Sequence, residues 1–139
     1  MIKHLLLATS LLLPLTVQAD TSLLLGAWSY HYDDEGVENE NHQLVGLCYN
    51  HFCAGTMVNS YDRRGAAVFY EYRTELEGTP LDWGYRAGVL TGYSGENVPE
   101  WGGIMPMGGL LLSAPVYSPV HLDLTVSLPL SMLNLKVDL

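Results

Sequence analysis

Three polar side chains that could carry chemistry, His31, Asn59 and Ser60, stand at or just beyond the ends of apolar, alternating segments of the chain. A histidine beside a hydroxyl is the minimal apparatus for acyl transfer, because the imidazole can take the hydroxyl proton as the oxygen attacks and return it afterwards. The sequence contains none of the longer hydrolase, metalloprotease or phosphate-loop motifs. The alternative is that these side chains only hydrogen-bond water and loop backbone.

The segments that would position these residues have the pattern of β-strands. Apolar and polar residues alternate strictly over 121–128, and the C-terminal segment 133–139 shows the same alternation. Helical spacing would scatter both sets around a helix. The predicted strands, some with a less regular pattern, are 24–32, 43–49, 52–60, 65–73, 82–93, 104–113, 121–128 and 133–139.

These strands separate two kinds of side chain onto opposite faces. One face is apolar and carries, mostly near the strand ends, the aromatic residues Trp28, Tyr30, Tyr32, Tyr49, Tyr70, Tyr72, Trp83 and Tyr85. The opposite face carries the ionisable residues Glu71, Arg73, Arg86, Asp123, Lys136 and Asp138. Because a wet lumen tolerates charges better than a dry core, the pattern favours an all-β fold, an eight-stranded antiparallel up-and-down outer-membrane-type β-barrel. A soluble sandwich with the aromatic residues in its core is the alternative.

An even number of strands places alternate connections on the same rim of a barrel. Connections 33–42, 61–65, 93–103 and 129–131 would form the extracellular rim, and 50–51, 75–81 and 114–120 the opposite one. Alternation along the first strand points Ser29 and His31 inward near the extracellular rim, and the third strand brings Asn59 inward with Ser60 beside it. We therefore expect these residues to meet at the barrel mouth.

The N-terminal segment 1–19 has the basic Lys3, an apolar stretch, and the small residues Val17 and Ala19 at its end, the pattern of a cleavable signal peptide. The apolar run is shorter than the ~20 residues that a spanning helix needs, which argues against a membrane anchor. Residues 20–139 would then form a single β-barrel domain in the cell outer membrane. Without Lys3, that domain carries five basic and fifteen acidic side chains, so nucleic acid is not an expected partner.

Cys48 and Cys53 flank a segment whose centre, Asn50-His51, suits a two-residue turn. Such a turn would place the cysteines opposite each other in a non-hydrogen-bonded pair, close enough for a disulfide. Export to an oxidising compartment favours the disulfide over two buried thiols. A metal site is not expected, since only His51 lies nearby and zinc requires about four ligands.

Several short segments, spread over most of the predicted domain, resemble the lipid A palmitoyltransferase (PagP-like) family of barrels. They are Trp28-Ser29-Tyr30-His31, Glu38-Asn39-Glu40-Asn41, 44–50, Gly55-Thr56-Met57-Val58-Asn59-Ser60, Ile104-Met105-Pro106-Met107, Tyr117-Ser118-Pro119-Val120 and Val126-Ser127-Leu128-Pro129. In that family an eight-stranded outer-membrane barrel moves a palmitoyl chain from a phospholipid to lipid A. The resemblance implies a membrane-embedded barrel with outer-membrane lipids as partners. We also expect a monomer and no cofactor.

The resemblance further implies roles for particular residues. His31 matches the family's histidine on the first extracellular loop, and Asn59-Ser60 matches its Asp-Ser pair on the second. Pro106 and Pro129 resemble the prolines that let lipid enter sideways between strands six and seven. Proline has no amide hydrogen, so a hydrogen-bond ladder flanked by prolines can open there.

Two departures from the family bear on activity. Asn59 replaces the acidic member of the pair, so a negative partner for a positively charged His31 would be missing. Glu71 stands where a glycine shapes the floor of the family's acyl pocket, and an unpaired carboxylate there would shorten or spoil that pocket. Arg73 or Arg86 could neutralise Glu71, with a loss of lumen volume.

Three functions stay open at this point. The first is a lipid-modifying acyltransferase in which Ser60 and His31 activate and relay a proton and Asn59 orients the reacting group. The second is a non-catalytic outer-membrane barrel of the same architecture, lipid-binding or surface-modifying. The third is a secreted soluble β-barrel that binds a small apolar ligand in its interior.

Overall fold

The computed structural model describes residues 20–139, and the predicted signal peptide, 1–19, lies outside the described residues. None of the described residues belongs to an apolar helix of membrane-spanning length. Eight antiparallel strands form one closed barrel, in which the first strand pairs with both the second and the last. They are β1 (Thr21–His31), β2 (Val45–Tyr49), β3 (Phe52–Val58), β4 (Arg64–Glu75), β5 (Asp82–Leu90), β6 (Met105–Tyr117), β7 (Val120–Val126) and β8 (Leu130–Asp138). The predicted eight-stranded antiparallel barrel is therefore confirmed.

The strand boundaries lie within three residues of the predicted ones, except that β6 ends four residues later than predicted. β6 continues to Tyr117, so the predicted connection 114–120 was wrong and is replaced by a short turn at Ser118-Pro119. β7 ends two residues earlier than predicted, and its ladder with β6 begins only at the Leu110–Val126 pair. Residues 105–109 of β6 pair with β5 and have no strand partner on the other side. The barrel wall is thus incomplete between β6 and β7 in the half that carries the connection between β1 and β2, residues 32–44, which we call the first loop.

The two faces of the sheet carry different chemistry. Asp123 and Asn134 are fully buried inside the barrel, and Glu71, Arg86 and Lys136 are nearly so. Aliphatic side chains point outward around the barrel, among them Leu25, Leu47, Val68, Val89, Leu110, Leu112, Val126 and Leu133. Charged side chains thus occupy one part of the lumen, and buried apolar ones such as Leu24 and Phe69 occupy the rest. Apolar groups also cover the outside, whereas a soluble protein usually keeps its charges on the surface.

A β-bulge at Gly26 sets which side chains of β1 face the lumen. Gly26 has a φ of +68°, a conformation that residues with a Cβ rarely adopt, and the pairing with β8 skips one residue there. The inward set therefore changes from Leu24 to Ala27 and continues to Ser29 and His31. The bulge directs the polar end of β1 into the barrel mouth.

The predicted disulfide joins Cys48 and Cys53 across the β2–β3 turn, where the two Cα atoms are 4.0 Å apart. The two residues are directly paired in the ladder between β2 and β3. The bridge therefore links positions that the hairpin already holds together.

We expect removal of this disulfide to cost little stability. Loop-closure entropy grows with loop length and this loop is short, so a Cys48→Ala/Cys53→Ala variant should lose about 2 kcal/mol of unfolding free energy or less. Urea unfolding followed by tryptophan fluorescence measures the loss, and the reduced wild-type protein provides a second comparison. A loss well above this value, or failure to form the barrel, would contradict a purely local role.

Candidate active site

The first loop folds back onto the end of β1 and brings two further polar side chains into the barrel mouth. Ser29 donates its backbone amide to the Glu40 carbonyl at 2.9 Å, and His42 donates its amide to the Ala27 carbonyl at 2.8 Å. Between these two hydrogen bonds, Asn41 forms an isolated antiparallel β-bridge with Trp28. Alternation along this extended segment turns Glu40 and His42 inward and leaves Asn41 exposed.

Ser60, His31 and Glu40 form a continuous row, which we call the catalytic row after the function that we propose for it. The Oγ of Ser60 lies 3.1 Å from Nε2 of His31, and Nδ1 of the same ring lies 2.9 Å from a Glu40 carboxylate oxygen. An ionised carboxylate only accepts hydrogen bonds, so His31 carries a hydrogen on Nδ1 and Nε2 is free to accept from Ser60. This is the order of nucleophile, base and acid in serine hydrolases.

The catalytic row lies at the boundary between the barrel interior and solvent. Ser60 is buried, the His31 side chain is nearly so, and the Glu40 side chain is 41% exposed. Burial by itself would raise the pKa of the Glu40 carboxyl, but hydrogen bonds from Ser29 and His31 and the charge of His31 together bring the pKa below its usual value. Glu40 is therefore ionised at neutral pH and can stabilise a positively charged His31.

Glu40 corrects the expectation that His31 lacks a negative partner. The acid comes from the first loop and not from the position before Ser60. Sequence reasoning missed Glu40 because the 33–42 loop holds several acids without a period that would single one out. The available signal was the strand-like spacing of Glu40 and His42, two residues apart.

Asn59 is fully buried, and its side chain binds backbone rather than His31. Its Oδ1 accepts the backbone amides of Tyr61 and Arg63, both at 3.0 Å, and its Nδ2 donates to the Gly92 carbonyl at 2.8 Å. These bonds organise the β3–β4 turn and tie it to the chain after β5. Asn59 therefore fixes the backbone that carries the Ser60 hydroxyl.

Tyr93, in the connection after β5, lies against the hydroxyl end of the catalytic row. Burial raises the pKa of its phenol to about 12, although hydrogen bonding with Ser60 acts in the opposite direction. Its ring also packs edge to face with Tyr61, with the ring centroids 6.0 Å apart. Tyr93 thus stays protonated at neutral pH and helps to hold the turn that carries Ser60.

An apolar cavity of about 250 Å³ lies in the barrel next to the catalytic row. Its wall includes Ala27, Leu44, Met57, Ala67, Phe69, Leu90 and Met132. Ala27 precedes Ser29 on the inward side of β1, and Leu44 follows His42 on the inward side of the segment that leads into β2. The cavity therefore begins one layer of side chains below the polar mouth, and its lining suits a hydrocarbon chain.

The cavity extends to the gap between β6 and β7. Residues 105–108 line it from one side of the gap and 127–130 from the other. Pro106 and Pro129, the two predicted gate prolines, stand on opposite sides of this opening. Pro129 lies in the β7–β8 turn rather than in the ladder, and its carbonyl accepts the Tyr32 amide at 3.1 Å.

A network of buried ionic groups, which we call the lumen network, closes the barrel beneath the cavity. It consists of Glu71, Arg73, Arg86, Asp123 and Lys136. Glu71 accepts from Nε of Arg73 at 2.9 Å, from Nε of Arg86 at 2.8 Å and from Nζ of Lys136 at 2.8 Å. Asp123 accepts from Arg86 at 2.6 Å and from Arg73 at 3.0 Å. The predicted lumen charges are thus in mutual contact, and Glu71 is not an unpaired carboxylate.

The lumen network divides the barrel interior into two unlike halves. Arg86 belongs to the lining of the apolar cavity. Glu71, Arg73 and Lys136 line a second, polar cavity of about 260 Å³ near the opposite rim. The network is therefore the floor of the apolar cavity and limits its depth.

Within residues 20–139, no group of three or more His, Cys, Asp and Glu side chains could hold a metal ion. The site is thus a β-barrel mouth in which a serine, a histidine and a glutamate stand in a row beside an apolar cavity. Comparison of the chain with protein-family models and with curated proteins found no match.

Proposed function

We propose that this protein is an outer-membrane acyltransferase that moves an acyl chain from a phospholipid to lipid A. The observation that carries the proposal is the unbroken contact from the Ser60 hydroxyl through both ring nitrogens of His31 to the Glu40 carboxylate. Such a row activates a hydroxyl for attack on an ester carbonyl. The apolar cavity beside it, which reaches the gap between β6 and β7, supports an acyl chain as the group that is transferred. The phospholipid donor and the lipid A acceptor are those that the resemblance to the PagP-like family implies.

In the first half of the reaction, Ser60 Oγ attacks the carbonyl carbon of the phospholipid ester while Nε2 of His31 takes the hydroxyl proton. The tetrahedral intermediate collapses, the lysophospholipid leaves as an alcohol with that proton, and the acyl group stays on Ser60. In the second half, a lipid A hydroxyl gives its proton to Nε2, attacks the acyl ester and displaces Ser60, which regains the proton. Glu40 holds the His31 ring and stabilises its positive charge in both halves.

The outer surface of the barrel supports a membrane location. Its exposed aliphatic side chains lie between two sets of exposed aromatic ones: Trp28, Tyr30, Tyr32 and Trp101 toward the rim of the first loop, and Tyr49, Phe52, Tyr72 and Trp83 toward the opposite rim. Aromatic girdles on both sides of an apolar band, around a polar interior, are typical of barrels in outer membranes.

The gap between β6 and β7 supports lateral entry of the donor. An acyl chain passing from the membrane between Pro106 and Pro129 would enter the apolar cavity without crossing the polar rim. Its ester would then face the catalytic row, and its methyl end would meet the lumen network at Arg86. The depth of the cavity would therefore select the length of the acyl chain.

Mass spectrometry of lipid A from cells that produce the protein tests the proposal. We expect added acyl mass with the wild-type protein and none with Ser60→Ala. Ser94→Ala removes an exposed hydroxyl from the same rim and should acylate like the wild type.

The two other functions give different results in the same cells. A non-catalytic barrel would sediment with the outer membrane and migrate faster on a gel when unheated, but would leave lipid A unchanged. A secreted soluble β-barrel would stay in the soluble fraction. Either result would overturn the acyltransferase proposal.

The cavity wall provides a separate prediction about donor choice. Ala67 is buried on that wall, so the leucine side chain of an Ala67→Leu variant would project into the cavity and favour shorter acyl chains. We expect the ratio of rates with long and short donors to fall about tenfold. Donor phospholipids of graded chain length, offered in detergent micelles, measure this ratio.

Val68→Leu is the matched control, because Val68 is the next residue in β4 and points outward. It should keep the wild-type donor preference. The same preference in Ala67→Leu and Val68→Leu would contradict the assignment of the cavity to the acyl chain.

A further inference from the structure

His42 is a buried histidine that the proposed acyl transfer does not use. It is 1% exposed, and both of its ring nitrogens have partners. Nδ1 lies 2.7 Å from the Val58 carbonyl oxygen, and Nε2 lies 2.7 Å from Oγ of Ser29. The same Ser29 hydroxyl contacts a carboxylate oxygen of Glu40. His42 is therefore connected to the catalytic row through Ser29, and we call the contacts from His42 through Ser29 to Glu40 the proton connection.

A count of hydrogens shows that this connection can take up one further proton. A backbone carbonyl only accepts, so Nδ1 of His42 carries a hydrogen, and in a neutral ring Nε2 is then an acceptor. Ser29 has a single hydroxyl hydrogen, yet its oxygen contacts two acceptors, Nε2 and the Glu40 carboxylate. Only one of these contacts can be a hydrogen bond. Both become hydrogen bonds once a proton is added to Nε2 or to Glu40.

We propose that Ser29 and His42 are positioning residues that control the charge of Glu40, and that they give acyl transfer a second ionisation on the acid side of its pH profile. The effect on transfer rests on the proposed function. The proton connection itself rests on the contacts among His42, Ser29 and Glu40.

Proton movement along the connection balances. With the added proton on His42, Nε2–H donates to Ser29 Oγ and the Ser29 hydroxyl donates to Glu40. When the Nε2–H bond breaks, its proton joins Ser29 Oγ while the hydroxyl proton passes to Glu40, which leaves a neutral histidine and a neutral carboxylic acid. Glu40 is thus either close to a positive His42 or itself uncharged. Both states weaken its stabilisation of a positive His31.

The surroundings of His42 keep this added proton off at neutral pH. Burial lowers the pKa of His42, and the hydrogen bond to the Val58 carbonyl, supplied by β3, opposes that effect. The charged groups that act on the ring are His31 of β1, which lowers the pKa further, and Glu40 of the first loop, which raises it. The connection therefore gains its proton as the pH falls.

The pH dependence of acyl transfer tests the proposal with four proteins: the wild type, Ser29→Ala, His42→Gln, and His121→Gln as the control. The rate of the wild type should fall by more than about tenfold per pH unit on the acid side, because protonation of His31 and of the connection both reduce activity. Ser29→Ala and His42→Gln should fall by about tenfold per unit, as for one ionisation. His121→Gln removes an imidazole near the opposite rim and should match the wild type.

An equally steep acid limb in Ser29→Ala and His42→Gln would overturn the proposal. The two variants remove different groups, so a folding defect in one leaves the other as the test. Faster migration of the unheated protein on a gel identifies the folded barrels. Ser29→Thr keeps a hydroxyl and should restore the steep limb.

Titration of the histidine rings by nitrogen-15 NMR does not depend on activity. In the wild type, the His31 signals should shift in two steps, one of them at the midpoint of His42, and in Ser29→Ala they should shift in one. A single step in the wild type would overturn the proton connection even in an active enzyme. Two steps without acyl transfer would overturn the proposed function, and with it the effect on transfer, while supporting the connection.

Discussion

Replacement of Glu40 by glutamine should lower the rate of acyl transfer by about a hundredfold to ten-thousandfold. Glutamine has nearly the same size, so the first loop should keep its fold. It has no negative charge, however, and cannot stabilise the positive ring that His31 becomes when it takes the Ser60 proton. Its NH₂ group can also donate to Nδ1, which would put the ring hydrogen on Nε2 and remove the acceptor for Ser60. Both effects act on the step in which Ser60 attacks.

Single-turnover transfer from a labelled phospholipid measures this loss. The matched control is Glu38→Gln, which neutralises an exposed carboxylate two residues earlier in the same loop and should leave the rate unchanged. Equal losses in Glu40→Gln and Glu38→Gln would indicate a general effect of loop charge. Full activity of Glu40→Gln would remove Glu40 from the catalytic row.

Replacement of Arg86 by methionine should lower the unfolding free energy by about 3–5 kcal/mol. Arg86 donates to Glu71, Asp123, Thr125 and Asn134, and its side chain is 4% exposed. Methionine fills most of the same space but donates no hydrogen bond. Two buried carboxylates would then share only Arg73 and Lys136, and removal of one partner from a buried ionic network leaves charge without compensation.

Urea unfolding of the barrel in lipid vesicles, followed by tryptophan fluorescence, measures this change. Arg63→Met is the matched control, because Arg63 pairs with Glu96 on the surface, where its side chain is 52% exposed. The unfolding free energy of Arg63→Met should fall by less than about 1 kcal/mol. A loss of that size for Arg86→Met would show that water or Arg73 replaces the missing contacts and that the lumen network is less dry than its burial indicates.

The lumen network also explains how a carboxylate can stand at the floor of an apolar cavity. Glu71 faces three cations, so its charge is compensated by neighbours and not by the cavity. Asp123 has one oxygen, Oδ1, without a partner among the described residues. Because each carboxylate of the lumen network pairs with more than one cation, we expect substitutions within it to affect stability and the depth of the cavity together.

The sequence was sufficient to predict the eight strands, the outward and inward faces of most of them, and two contacts, Cys48–Cys53 and His31–Ser60. The strict alternation around Asp123 identified the lumen face, and the cysteine spacing predicted the bridge at the β2–β3 turn. Parity along β1 and β3 placed His31 and Ser60 on the same rim, where they lie in contact. The predicted end of β6 was wrong, because the strand continues past Pro115 through an irregular pairing with His121.

The remaining parts of the site depend on how distant segments meet. Glu40 and His42 face the lumen only because the first loop folds back on β1, and the acids around them carry no period that distinguishes them. The gap between β6 and β7 exists because β7 stops at Val126 while β6 begins at Met105. Apart from the strand-like spacing of Glu40 and His42, neither feature corresponds to a recognisable sequence pattern.

By itself, the sequence determined a barrel with an apolar outer face and with ionisable side chains on the inner face, because the direction of each side chain in a strand follows from its neighbours. The apolar half of the interior appeared only in the structure. The tertiary structure decided which acid joins the histidine, how the lumen charges compensate one another, and where the wall opens. These features depend on where loops and strand ends meet, which alternation within a strand does not determine.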